Sequence, residues 1–210
     1  LIVPSIFGPD AGTVSLAETL AEQGIGAVVM DPFWRSRPGA VGFSEKAAAK
    51  ERARALSGEQ TLADVVTAAA WLGKRCRGQP AVLGICFGGR YAVMAAAEGV
   101  TSTAMAWHGG GLLGVMPQLQ RAGCRVSLHF GEDDGMIPVA DVAQIRAGVA
   151  SCRNVRVHLH PGCGHGFTHR GHPNFMSVAA NAALADALRI LWSLSPCLLY
   201  TSPSPRDGRI

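Results

Sequence analysis

One short stretch constrains this chain more than any other. Ala81-Val82-Leu83, an apolar run, leads at once into Gly84-Ile85-Cys86-Phe87-Gly88-Gly89, and a strong helical pattern follows from Arg90 to Ala97. A strand that turns into a helix this sharply leaves no space for side chains two positions before and after the apex, so glycine is required there. The apex residue is forced into a strained backbone conformation and projects above the carboxyl end of the strand. A cysteine at that apex, beside a helix N-terminus that favours negative charge, is placed to act as a nucleophile.

The rest of the chain repeats the same grammar. Apolar runs at 1–4, 26–30, 80–85, 103–107, 125–130 and 155–159 read as strands, mostly without strict alternation, as strands buried on both faces should. Helical spacing at 13–23, 61–74, 88–98, 138–150 and 174–193 separates them. Alternation of this kind predicts an α/β fold with a mostly parallel sheet and helices on both faces. Residues 34–60 carry more charge, Pro and Gly and read as a loop plus a solvated helix over the top of the sheet. No repeat or second domain is visible, so residues 1–196 are expected to form one domain.

Both ends invite separate readings. Leu1-Ile2-Val3 reads as the end of a buried strand, so the sheet is expected to lack its first strands. Cys197-Leu198-Leu199-Tyr200-Thr201-Ser202-Pro203-Ser204-Pro205-Arg206-Asp207 matches an in-frame translation of a sequencing adapter, and residues 197–210 are read as a non-native tail.

Composition narrows the class of partner. With 48% hydrophobic and 16% charged residues, the 210-residue chain can bury a continuous core. Its 19 basic and 15 acidic residues are scattered, without the basic stripe a nucleic-acid surface needs. No apolar segment is long enough to span a bilayer. The expectation is a cytoplasmic monomer acting on a small molecule. Six unevenly spaced cysteines with no Cys-x-x-Cys pair point to reduced thiols.

An acid and a base for Cys86 should follow in the chain order nucleophile, acid, base. The acid is sought after Val126-Ser127-Leu128-His129-Phe130, where Glu132, Asp133 and Asp134 compete. The base is sought after Val155–Leu159, where His165 stands between two glycines and His160 stands at the strand end. His165, His169 and His172, with His158 and His160, also raise a metal reading. The glycines and proline of that loop do not suit the helical presentation of a two-histidine motif, so no metal is expected. His108 and His129 read as structural.

Taken together, these residues resemble the dienelactone hydrolase (carboxymethylenebutenolidase) family of the α/β-hydrolase superfamily. The likeness runs from Leu1 to about Trp192 and rests on Ile6-Phe7-Gly8, Asp31 to Arg35, the cysteine elbow, Phe130-Gly131 through Asp134 to Pro138, and Gly164-His165-Gly166-Phe167. The resemblance implies a Cys86-His165-Asp134 triad without a cofactor. It also implies an oxyanion hole from the backbone N–H groups of Ile6 and Phe87, and cleavage of small esters or lactones through an acyl-thioester. Two arginines that hold a substrate carboxylate in the family correspond to Arg35 and to the position of His169, which Arg170 follows. A family glutamate that contacts the resting thiol corresponds to Ser5. With serine there, Cys86 is expected to rest as a thiolate beside protonated His165.

Two other readings stand beside this one. The first is a general carboxylesterase or thioesterase with no need for an anionic substrate. The second is a non-enzymatic redox-sensing thiol with Cys163 as the resolving partner.

Overall fold

The computed structural model describes residues 1–75 and 79–194. In chain order its elements are β1 (Ile2–Val3), α1 (Ala11–Glu22), α2 (Lys46–Arg54), α3 (Gly58–Gly73), β2 (Ala81–Ile85), α4 (Phe87–Ala97), β3 (Thr103–Trp107), α5 (Met116–Arg121), β4 (Arg125–Gly131), α6 (Val139–Gly148), β5 (Val155–His160) and α7 (Ser177–Leu194). Short 3₁₀ turns at Phe43–Glu45 and Leu112–Val115 precede α2 and α5. The proposed tail at 197–210 lies outside the described residues.

The five strands form one parallel sheet in the order β1-β2-β3-β4-β5. Parallel neighbours cannot be joined by a tight turn, so each connection crosses a face through helix, and both faces are covered. Alternate side chains divide the core accordingly. Val82, Ala104, Ala106, Val126, Leu128 and Phe130 pack towards α3, α4, α5 and α6. Leu83, Ile85, Met105 and Trp107 pack towards Ala183, Ala187 and Ile190 of α7 and Leu20 of α1. This is the α/β architecture expected from the pattern. Local chemistry starts the helices: Asp10 accepts the Thr13 N–H at 2.9 Å to cap α1, and Ser57 accepts the Gln60 N–H at 3.3 Å to cap α3.

Two expectations need correction. The run at 26–30 is not a full strand: Val29 makes an isolated parallel bridge to Ile2, flanked by Ile2 N–H to Val28 O and Met30 N–H to Ile2 O. Its partner β1 is only two residues long and is followed by Pro4, which has no N–H to extend the ladder. The segment between β3 and β4, to which the sequence pattern assigned no element, contains the 3₁₀ turn and α5, opened by a proline in its first turn. The helix expected to be solvated, α2, buries Ala49 and Arg52, three residues apart on one face.

Candidate active site

The elbow is built by close backbone approach. A Cβ on Gly84 would stand 2.2 Å from the Gly88 carbonyl oxygen, one on Gly88 2.1 Å from that of Val3, and one on Gly89 2.5 Å from the Gly109 Cα. Only glycine fits at all three. Cys86 between them has φ +51° and ψ −108°, a region side chains rarely adopt. Its N–H donates to Trp107 O at 3.0 Å, while its carbonyl accepts from Gly89 and Gly110, also at 3.0 Å. Bonds to β3, to α4 and to the loop after β3 therefore over-determine the strained residue.

Above Cys86 hangs the loop after β5. His165 Nε2 lies 3.0 Å from Cys86 Sγ, and His165 Nδ1 lies 2.8 Å from Asp134 Oδ2. Asp134 is closed off from solvent, and its second oxygen accepts the N–H groups of Met136 at 2.8 Å and Ile137 at 3.0 Å. Those two bonds fix which oxygen faces the imidazole. Of the three competing carboxylates, Asp134 is thus the one that meets His165, while Glu132 and Asp133 face solvent. The His165 loop is pinned in turn by Asn174, whose amide donates to the His165 carbonyl at 2.9 Å.

Burial alone would pull the His165 imidazole towards its neutral form. The hydrogen bonds to Asp134 and Cys86, together with their negative charge, outweigh it and push His165 up to about 10. A proton at neutral pH is therefore held on the imidazole between the carboxylate and the sulfur.

Two residues outside the expected set shape this centre. His108, read as structural, is buried at the end of β3 with φ +39°, and its ring meets that of His165 edge-on at 4.9 Å. Nε2 of His108 contacts Thr168 Oγ1 at 2.9 Å. Burial, and next the charge of His165, hold His108 well below the ordinary histidine range, so it stays neutral. Arg52, one-twentieth exposed, donates to the Ile6 carbonyl through Nε (3.2 Å) and Nη2 (3.0 Å), and its Nη1 donates to the carbonyls of Arg37 and Gly39. Its guanidinium lies over the Phe33 ring at 3.9 Å. It ties the Ser5–Gly8 turn to α2. The sequence signal was slight: an arginine three residues from Ala49 on a helix otherwise rich in charge.

The remaining expected residues are engaged elsewhere. Ser5 is buried, its Oγ accepting the Phe7 N–H at 3.2 Å, while its carbonyl accepts from Gly8 at 3.0 Å. His169 is also buried, with Nε2 on both Asp10 oxygens at 2.9 and 2.8 Å, and so ties the His165 loop to the N-terminus of α1. Arg35 is exposed, ion-paired with Asp64 of α3 and stacked over Trp34 at 4.1 Å. The structure thus brings Cys86, His165 and Asp134 together, and holds Ser5, His169 and Arg35 in other contacts. Neither Ile6 nor Phe87 has its N–H taken up by a backbone acceptor among the described residues, and Phe87, first in α4, has none within its helix.

A cavity of about 350 Å³ lies elsewhere, at the opposite ends of the strands, lined by Leu1, Ile25, Pro80, Ser102 and Leu191 among others, and it includes none of these side chains. In open parallel sheets chemistry gathers at the carboxyl ends of the strands, where Cys86 stands, and size alone does not relocate it.

Comparison with known proteins identifies the family. The sequence profile described as the dienelactone hydrolase family matches residues 1–194. A carboxymethylenebutenolidase of Pseudomonas putida is 26% identical over 196 residues, covering 90% of this chain and 82% of its own. Carboxymethylenebutenolidase 1 of Cupriavidus pinatubonensis is 26% identical over 201 residues, covering 91% and 84%. A solved dienelactone hydrolase-like promiscuous phosphotriesterase from metagenomic libraries superposes with a TM-score of 0.70 at 18% identity, covering 92% and 84%. Est1E of Butyrivibrio proteoclasticus does so with a TM-score of 0.65 at 14% identity, covering 91% and 87%. The chain has an α/β-hydrolase fold, belongs to the dienelactone hydrolase family, and is a hydrolase acting on ester or lactone bonds.

Proposed function

We propose that this protein cleaves small esters or lactones with Cys86 as nucleophile, through an acyl-thioester intermediate. The reading is carried by one observation: His165 lies 3.0 Å from Cys86 Sγ on one side and 2.8 Å from Asp134 on the other. The Cys86 thiolate attacks the carbonyl carbon, and the oxygen that gains charge is received by the N–H groups of Ile6 and Phe87. Collapse expels the alkoxide, which takes the His165 proton and leaves as an alcohol, or stays tethered when the substrate is a lactone. His165, now neutral, accepts a proton from water as that water attacks the thioester. The acid is released and the thiolate–imidazolium pair is restored. Asp134 holds the imidazole and stabilises its charged form throughout. Arg52 acts at one remove, by fixing the turn that carries Ile6.

The resting ion pair has its own readout. With His165 pushed up to about 10 and its Nε2 3.0 Å from the sulfur, the imidazole stands as a cation beside Cys86. If that cation holds Cys86 as the thiolate, alkylation by iodoacetamide is expected to stay fast at pH values where an ordinary thiol, with a pKa of about 8.5, is largely protonated. A rate that inflects where a free thiol does would overturn the ion pair.

Substrate charge is the second question. Arg35 is the cation nearest to the family expectation, but a substrate carboxylate would have to displace Asp64 from it. Arg35→Ala is expected to lower kcat/KM a few-fold for anionic lactones and leave neutral aryl esters unchanged. Equal effects on both would sink the carboxylate role and favour a general esterase. The redox-sensor reading fares worse: Cys163 is buried, and burial, followed by the charge of Asp133, pushes its thiol up, away from the thiolate a resolving cysteine needs.

A further inference from the structure

We propose that His129, His158 and Asp186 form a divalent-cation site of the zinc type, separate from the Cys86 centre. The three come from β4, β5 and α7, and their donor atoms all lie within 4.8 Å of one another. His129 and His158 stand opposite each other in the parallel register, their rings stacked at 4.4 Å and 10°. Both Nε2 atoms are turned to the same oxygen: Asp186 Oδ2 is 3.3 Å from that of His129 and 4.0 Å from that of His158.

Two ligands of a tetrahedral zinc, each bound at about 2.0–2.1 Å, sit roughly 3.4 Å apart. The first separation already matches. The second closes if the His158 ring tilts inward by about 0.6 Å on that geometry. More than a third of that side chain is open to solvent, which leaves the ring room to tilt.

The supporting contacts are those a metal site needs. His129 Nδ1 meets His160 Nε2 at 3.0 Å, fixing the ring from behind. Ser127 Oγ donates to Asp186 Oδ2 at 2.7 Å, orienting the carboxylate. His158 Nε2 is itself buried and has no hydrogen-bond partner among the described residues, a cost that an ion would remove. Two imidazoles and one carboxylate suit zinc or another first-row cation better than calcium or magnesium, which prefer all-oxygen shells. Arg189 already pairs with the other Asp186 oxygen, so its positive charge limits the affinity. Bound there, the ion would clamp β4, β5 and α7. The inference does not rest on hydrolysis, since none of its ligands contacts Cys86 or His165.

The test is zinc titration of the untagged chain carrying Cys86→Ala, which removes the thiolate as a competing ligand, read by calorimetry and by Tm. One saturable equivalent that raises Tm is expected. Adding His158→Ala or Asp186→Asn should weaken it at least tenfold, the scale of a lost metal contact. His158→Ala in the otherwise unchanged chain should retain ester hydrolysis, which shows that it folds. No saturable binding, or an affinity that neither substitution moves, would overturn the site.

Discussion

Cys86→Ala is expected to lower kcat for p-nitrophenyl acetate by about 10⁴- to 10⁶-fold, the scale seen when a nucleophile that works as a unit with its base is removed. The substitution deletes one sulfur atom from a partly open position, so Tm should barely change. A backbone held at φ +51° by hydrogen bonds to Trp107, Gly89 and Gly110 accepts alanine as it accepts cysteine. The comparison therefore separates chemistry from folding. A variant that hydrolyses as fast as the parent would remove Cys86 from the reaction and with it the acyl-thioester.

Asp134→Asn should cost nearly as much, about 10⁴-fold in kcat, for a reason of orientation. One Asp134 oxygen accepts two backbone N–H groups, from Met136 and Ile137, so an asparagine must keep its carbonyl oxygen there. Its NH₂ then faces His165 Nδ1, where the carboxylate oxygen had been. An imidazole next to an NH₂ donor carries its proton on Nε2 instead, and Nε2 is the atom 3.0 Å from Cys86 Sγ. The base then presents a donor to the thiol and cannot take its proton. Alkylation of Cys86 at neutral pH should slow in parallel. Full activity in Asp134→Asn, with the fold intact by circular dichroism, would show that the pairing of Asp134 with His165 is not used.

What could be read in advance follows the range of the physics. The glycine elbow depends on residues within a few positions of one another, and it was legible. Even there, the run at 26–30 misled. A strand needs a partner of matching length, and β1 offers two residues before Pro4. The buried face of α2 was hidden for a similar reason. An arginine on a charged helix reads as solvated until the carbonyls of Ile6, Arg37 and Gly39 are found around it.

The sequence by itself determined the alternating α/β plan, the apex at Cys86 and the order in which an acid and a base must follow it, because these are local patterns and chain-order rules. The resemblance implied Asp134, and only the tertiary structure gives the physical reason that it, and neither of its two acidic neighbours, meets His165: burial and two backbone N–H groups. It also decided that His169 is bound to Asp10, 159 residues away, and that His129 faces Asp186, 57 residues away. Contacts over such separations arise when helices fold back across a sheet, and no spacing along the chain encodes which side chains will then stand in hydrogen-bond contact.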